Sequence, residues 1–207
     1  MPAPITHVFA TSLYRAALAG PDLPAFLDEL RIACRATAME DAAGQAWSND
    51  AGYAGYTSYA SIDNLPERSP TFAALCERLT PHLTEFAKAL DFDMRGHEPV
   101  VDSVWINILE PGGQHGWHIH TNSVISGTLY VDVPDGASAI RFEDPRLDKM
   151  MAAPPRKAKA GPHNKSFASI QPEPGTLLLW ESWLRHEVPL NRAREDRISV
   201  SFNAVLV

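Results

Sequence analysis

The sequence has 207 residues, enough for one sizeable hydrophobic core with a helical extension and too few for two comfortable domains, so a single domain over 1–207 is expected. With 45% hydrophobic and 21% charged residues the composition is that of a folded globular chain, and no apolar run approaches the roughly 20 residues that cross a bilayer. The formal net charge of −7, from 18 basic and 25 acidic residues, offers no basic footprint for a nucleic acid. A small molecule or a protein side chain is the expected substrate, the cytoplasm the expected setting, and a homodimer is compatible with this balance.

The first twenty residues carry only Arg15 as a positive charge, a poor match to a secretory leader. Asp22-Leu23-Pro24 then supplies an acidic cap and an early proline ahead of Phe26, Leu27, Leu30, Ile32 and Ala36, which predicts a helix ending before the 44–55 stretch. Residues 49–70, rich in Ser, Asp, Asn, Gly, Tyr and Pro, read as loop. Ser69-Pro70 opens a second helix, with Phe72, Leu75, Leu79, Leu83, Phe86 and Leu90 recurring at helical spacing. Cys34 and Cys76 fall inside these helices, far apart and outside any CxxC pattern, and read as two buried thiols. A metal in this chain must therefore be held by His and by carboxylate oxygen.

After Gly96 the texture changes to short β-branched and aromatic runs divided by Pro and Gly, at 100–109, 126–133, 139–142, 176–180 and 197–205. Strands at that spacing, with no long helix between them, describe a double-sheet sandwich or jelly roll over 99–207, behind a mainly helical part at 1–98 that braces one sheet. Residues 145–174 read as a long loop with a short edge strand at 167–170, and a loop of that length is a candidate lid.

Three of the eight histidines crowd into Gln114-His115-Gly116-Trp117-His118-Ile119-His120. In extended chain His118 and His120 project to one side and Ile119 to the other, so the pair can grip one ion. His186, just beyond the 176–180 strand and its turn, is the candidate third ligand. Imidazole suits iron, zinc, copper and nickel, and three protein ligands leave positions open for chemistry. Arg197 begins a strand in which Arg197, Ser199, Ser201 and Asn203 share one face while Ile198, Val200 and Phe202 share the other. A guanidinium pairs bidentately with a carboxylate and a nearby hydroxyl adds a further bond, the pattern a dicarboxylic keto acid needs at its far end. The competing reading is an edge strand with a solvated polar face.

In order, Pro111 to Gly113, His118 with His120, Gly127 to Tyr130, His186, and Arg197 with Ser199 resemble the Fe(II) and 2-oxoglutarate dependent oxygenase superfamily. More narrowly they resemble its bacterial and phage group with His-x-His, a Ser-Gly-x-x-Tyr strand and a closing Arg-Ile-Ser-x-Ser-Phe-Asn. The resemblance is strong over about 102–207 and weak at Gly55-Tyr56-Thr57-Ser58. It implies a double-stranded β-helix core, Fe(II) as the metal and 2-oxoglutarate as co-substrate. His118 and His186 are then the two histidine ligands and Arg197 the co-substrate clamp, and the activity is hydroxylation of a C–H bond. His120 stands where most of the superfamily has Asp or Glu; it is either a third neutral ligand, a group standing off behind the metal or facing substrate, or a mark of lost catalysis.

Asn107 and Tyr130, on the strands before and after the histidine pair, are the residue types that reach co-substrate oxygens. Trp105, Trp117, Trp180 and Trp183 bracket the site in sequence; core packing explains them most simply, with Trp117 and Trp183 also candidate pocket walls. His115 reads as facing solvent or the pocket mouth, and His163 as unremarkable. Two other functions fit the same residues: a three-histidine cupin-like metalloenzyme that needs no keto acid, and a non-catalytic jelly-roll binding module.

Overall fold

A computed structural model of the chain describes residues 3–18, 20–62 and 64–207. Its elements in order are β1 (Leu13–Ala17), α1 (Leu23–Glu40), α2 (Ala42–Asp50), β2 (Gly55–Thr57), α3 (Leu65–Arg68), α4 (Pro70–Ala89), β3 (Pro99–Leu109), β4 (His115–His118), β5 (Ile125–Asp132), β6 (Ile140–Glu143), β7 (Phe167–Ile170), β8 (Thr176–Glu181), β9 (His186–Val188) and β10 (Arg197–Leu206). They form two antiparallel sheets, a six-stranded one in the order β1-β8-β5-β10-β3-β2 and a four-stranded one in the order β4-β9-β6-β7. This is the expected mainly β jelly-roll architecture, with helices laid on one sheet.

The helices follow their apolar stripes. In α4, Phe72, Leu75, Leu79, Leu83 and Phe86 are all at most 2% exposed, and they pack on the outward face of the large sheet, where Val104, Ile106, Ile198, Val200 and Phe202 belong to the same core. Each such side chain contributes about 1.5–3 kcal/mol by leaving water. In α1 the buried positions are Phe26, Leu30 and Cys34, four residues apart; Ile32, expected in that stripe, is two residues off it and 64% exposed.

The chain departs from the sequence expectation in its first half. The 44–55 stretch begins inside a helix, because Asp41 caps α2 by accepting the Gly44 N–H at 3.0 Å. Gly44 signals close approach rather than loop: a Cβ there meets Asp41 Oδ2 at 2.2 Å and Ser61 Oγ at 2.7 Å. The 1–98 part also supplies two strands. β1 pairs with β8 at one edge of the large sheet and β2 pairs with β3 at the other, so Gly55–Thr57 is strand where loop was expected. The 167–170 edge strand is present as β7, and 144–166 is irregular apart from short 3-10 turns at Leu147–Lys149 and Pro162–Asn164.

β10 lies between β5 and β3, at the centre of the large sheet. That rules out the edge-strand reading of its polar face: Arg197, Ser199 and Asn203 are 3%, 3% and 8% exposed and point between the two sheets.

Candidate metal centre and co-substrate cavity

β4 and β9 are neighbours in the small sheet, with His118 directly opposite His186 and ring centroids 4.2 Å apart. His120 follows β4 and is anchored by its backbone N–H to Ser182 O at 3.0 Å; its ring lies 5.2 Å from that of His118 and 5.1 Å from that of His186. One ring nitrogen from each of the three lies within 4.8 Å of the others. The alternation argument therefore holds: His118 and His120 face inward together, and Ile119 is 47% exposed on the other side.

In each ring Nδ1 is engaged by an oxygen. His118 Nδ1–H donates to Gly116 O at 2.8 Å and His186 Nδ1–H to Leu184 O at 2.9 Å. His120 Nδ1–H donates to Asn203 Oδ1 at 2.6 Å, with Ser126 Oγ also 2.9 Å away and itself donating to Asn203 Oδ1 at 2.8 Å. Fixing the proton on Nδ1 leaves the Nε2 lone pair for an ion, the arrangement that orients metal-binding imidazoles. Burial and the neighbouring imidazoles push His186 down to about 2, and burial pushes His120 down to about 4 despite its bond to Asn203. His118 is lowered by burial as well. All three are thus neutral, the ligand form, near pH 7.

The rings open on a cavity of about 470 Å³, counted with its open mouth, whose walls include Trp105, Asn107, Tyr130, Trp180, Arg197 and Ser199. Among the described residues Arg197 is its one charged lining residue, with the guanidinium 4.7 Å from the centre of the Tyr130 ring. The Arg197 Nε–H and the Tyr130 hydroxyl are buried without a hydrogen-bond partner. Buried donors left unpaired are costly, and a carboxylate arriving beside them satisfies both. The donor set thus fits a metal ion held by three imidazoles and a dicarboxylic acid reaching Arg197. Asn107 lines the same cavity, but its polar atoms are engaged inside the protein: it donates to Ser201 Oγ and accepts from Thr57 Oγ1, both at 3.1 Å.

Some site residues escaped sequence reading. Asn203 and Ser126 stand behind His120; Asn203 was already on the face of Arg197, but nothing local says which ring it meets. A register shift between His115 and His118 turns His115 inward, where it stacks on His118 at 4.3 Å with an interplanar angle of 14°. Tyr53 also lines the cavity, edge-on to His115 at 5.8 Å. Core packing, the simplest reading of the tryptophans, holds for Trp105 and Trp180, and the alternative that Trp117 and Trp183 line the pocket does not hold for this cavity. Trp117 packs on the far side of β4 against Phe167 and the Arg141 and Arg185 guanidinia, and Trp183 is 47% exposed, while Trp105 and Trp180 form the wall.

Residues 103–203 match the model of a family described as "Putative 2OG-Fe(II) oxygenase". Among solved structures the fold is similar to an oxidoreductase of the 2OG-Fe(II) oxygenase family from Burkholderia pseudomallei, with 17% identity, TM-score 0.50 and 70% of this chain aligned to 61% of that one. It is also similar to a prolyl-4-hydroxylase from Pseudomonas putida (14% identity, TM-score 0.56, 94% of this chain and 89% of that one). A third similar structure is SnoN, an alpha-ketoglutarate dependent epimerase from nogalamycin biosynthesis (12% identity, TM-score 0.64, 94% and 78%). The chain thus spans about three fifths of the first of these and most of the other two, and no curated protein is similar to it in sequence. Over residues 103–203, just under half of the chain, the sequence thus fits the family described as putative 2OG-Fe(II) oxygenases, and the fold is a jelly roll shared with the solved structures above.

Proposed function

We infer that the protein is a dioxygenase in which His118, His120 and His186 hold Fe(II) through Nε2 while Arg197, with Tyr130 beside it and Ser199 and Asn107 flanking, receives the far carboxylate of 2-oxoglutarate. The observation that carries this reading is one cavity containing three imidazoles tethered at Nδ1 and two unpaired buried donors, Arg197 Nε–H on β10 and the Tyr130 hydroxyl on β5. When bound, the iron supplies oxygen activation coupled to decarboxylation of 2-oxoglutarate. The chain's own share is to hold the ligand rings, to meet the dianionic co-substrate with Arg197, and to keep water away with Trp105, Trp180 and Phe142.

The ligand set has a consequence. Three neutral imidazoles leave the full charge of the ion for the chelating keto acid, where a carboxylate ligand neutralises part of it. Tethering to Asn203 favours His120 as a ligand over a group standing off from the metal. The substrate is read as a small molecule or a protein side chain rather than nucleic acid, given the charge of −7. A cytoplasmic setting is consistent with Cys34 and Cys76 both being free. Among the described residues no helix is long and apolar enough to cross a membrane.

One observation favours a second reading, a three-histidine dioxygenase independent of keto acid: among the described residues no carboxylate lines the cavity. Anaerobic titration with Fe(II) and 2-oxoglutarate separates the two. The visible charge-transfer band of the chelate appears if the reading is right and is weakened in Arg197→Ala. Its absence from folded, iron-loaded protein refutes the reading.

A further inference from the structure

Among the described residues, three buried side-chain donors that find no hydrogen-bond partner line the same cavity: Arg197 Nε–H, the Tyr130 hydroxyl and the Trp180 indole Nε1–H. The first two lie where the far carboxylate of the co-substrate is received. The third lies in β8, where Leu177 and Leu179 join the core beneath the helices while Leu178 and Trp180 face between the sheets with Ile140, Phe142 and Leu184. Core packing accounts for the Trp180 ring but not for its N–H. A phenylalanine fills an apolar cluster without a donor to desolvate, and a buried indole N–H ordinarily finds a partner because leaving it unpaired is costly.

The register puts Trp180 at the metal end of the cavity. It stands opposite Ser126 on β5, the residue that donates to Asn203 behind His120, whereas Tyr130, further along β5, stands beside Ser199 near Arg197. The Trp180 ring lies 4.8 Å from that of His186, at an interplanar angle of 66°, and 6.4 Å from that of His120. The polar groups around it are already spent. Ser126 Oγ is engaged with Asn203, Ser182 and His120, and His186 Nδ1–H donates to Leu184 O, which leaves its Nε2 for the ion. Among the described residues no carboxylate lines the cavity, so nothing in the protein competes for the indole N–H.

We propose that Trp180 is a co-substrate-binding residue whose Nε1–H donates to the near carboxylate of 2-oxoglutarate, at the end held by the three imidazoles. The proposal rests on the reading of the site given above. The keto acid then meets an unpaired buried donor at each end, Arg197 with Tyr130 at one and Trp180 at the other. A bond from N–H to an anionic oxygen is strong in an apolar setting, and here it fixes how the keto-acid group lies against the ligand rings.

The test uses NMR of the full chain with isotopically labelled tryptophan, and diamagnetic Zn(II) in place of Fe(II). The Trp180 indole signal is identified by its Overhauser contact with the Phe142 ring, 5.3 Å away between centroids, and by its loss in Trp180→Phe. Adding 2-oxoglutarate to the Zn(II) form is expected to move this signal downfield while those of the outward-facing Trp117 and Trp183 stay in place. Levulinate, which is 2-oxoglutarate with a methyl group in place of the near carboxylate, separates a lost bond from a loosened core. Trp180→Phe is expected to weaken 2-oxoglutarate about tenfold, as loss of a hydrogen bond to a charged group does, and to leave levulinate unchanged. Equal weakening of both ligands overturns the proposal, as does an equal downfield shift with Zn(II) alone, which makes bound water the acceptor. An indole signal that stays put although 2-oxoglutarate binds overturns it too, and leaves the N–H against the His186 ring. A Zn(II) form that takes up no 2-oxoglutarate at all refutes the co-substrate reading itself, and the proposal with it.

Discussion

Replacing Asn203 tests how the chain holds its metal. Asn203 Oδ1 accepts from His120 Nδ1–H at 2.6 Å and from the Ser126 hydroxyl at 2.8 Å, in a side chain almost wholly buried. Loss of a partner that orients a ligating imidazole costs about 10- to 100-fold in metal affinity. Asn203→Ala is expected near the lower bound, because Ser126 Oγ is already 2.9 Å from Nδ1 and is freed to accept from it. The double variant with Ser126→Ala has no such substitute and is expected near 100-fold. Asn203→Asp keeps the acceptor and makes it anionic, so it holds or tightens metal binding. Competition between protein and a chelator for Mn(II) measures all three. The unpaired His120 Nδ1–H costs about 2 kcal/mol of stability, lowering Tm by about 4–8 °C, so affinities are compared on protein shown to be folded at the assay temperature. Refutation is plain: if the double variant takes up Mn(II) like the parent while His118→Ala abolishes uptake, His120 is not a ligand.

Arg197→Ala is expected to weaken 2-oxoglutarate about 100-fold, close to 3 kcal/mol, in the anaerobic titration while leaving Mn(II) affinity unchanged; a co-substrate affinity that does not move removes the clamp. A methyl added at Gly127 meets Phe202 Cζ at 2.4 Å and Leu179 Cδ2 at 2.6 Å, so Gly127→Ala is expected to cost about 1–3 kcal/mol by overpacking, read by urea denaturation. Leu79→Ala in α4, at 0% exposure, is expected to cost about 2–5 kcal/mol, and a value under 1 kcal/mol contradicts the packing of α4 on the sheet. The metal-free protein carries a pH signature. His120 and His186 have folded values of about 4 and about 2 against an ordinary 6.5, so the unfolded chain binds protons that the folded chain refuses. Stability is then full above 6.5 and falls as pH drops toward 4. Thermal melts of metal-free protein between pH 7 and 5 show the decline, with a shallower slope in His186→Asn; a flat profile means these rings are not desolvated.

Much of this was legible locally. The α4 stripe, the sorting of Arg197, Ser199, Ser201 and Asn203 from Ile198, Val200 and Phe202, and the shared side of His118 and His120 all follow from repeat periods of 3.6 and 2, which need only neighbouring residues. Other features were misread because glycine and polar residues serve close approach as readily as loops. Gly44 sits under Asp41 and Ser61 inside α2, and Thr57 in β2 is spent on Asn107.

By itself the sequence determined which residues could share a face, and the order of motifs along it pointed to the family. Only the tertiary structure decided that β10 is central rather than an edge, so that its polar face is buried against the three imidazoles instead of wetted. It alone put Asn203 behind His120, turned Trp117 and Trp183 outward, and set the unpaired Trp180 N–H beside the ligand rings. The physical reason is range: periodicity is set within a few residues, but the partner of a strand, and hence what its polar side meets, is set by pairings that the chain makes only once it is folded.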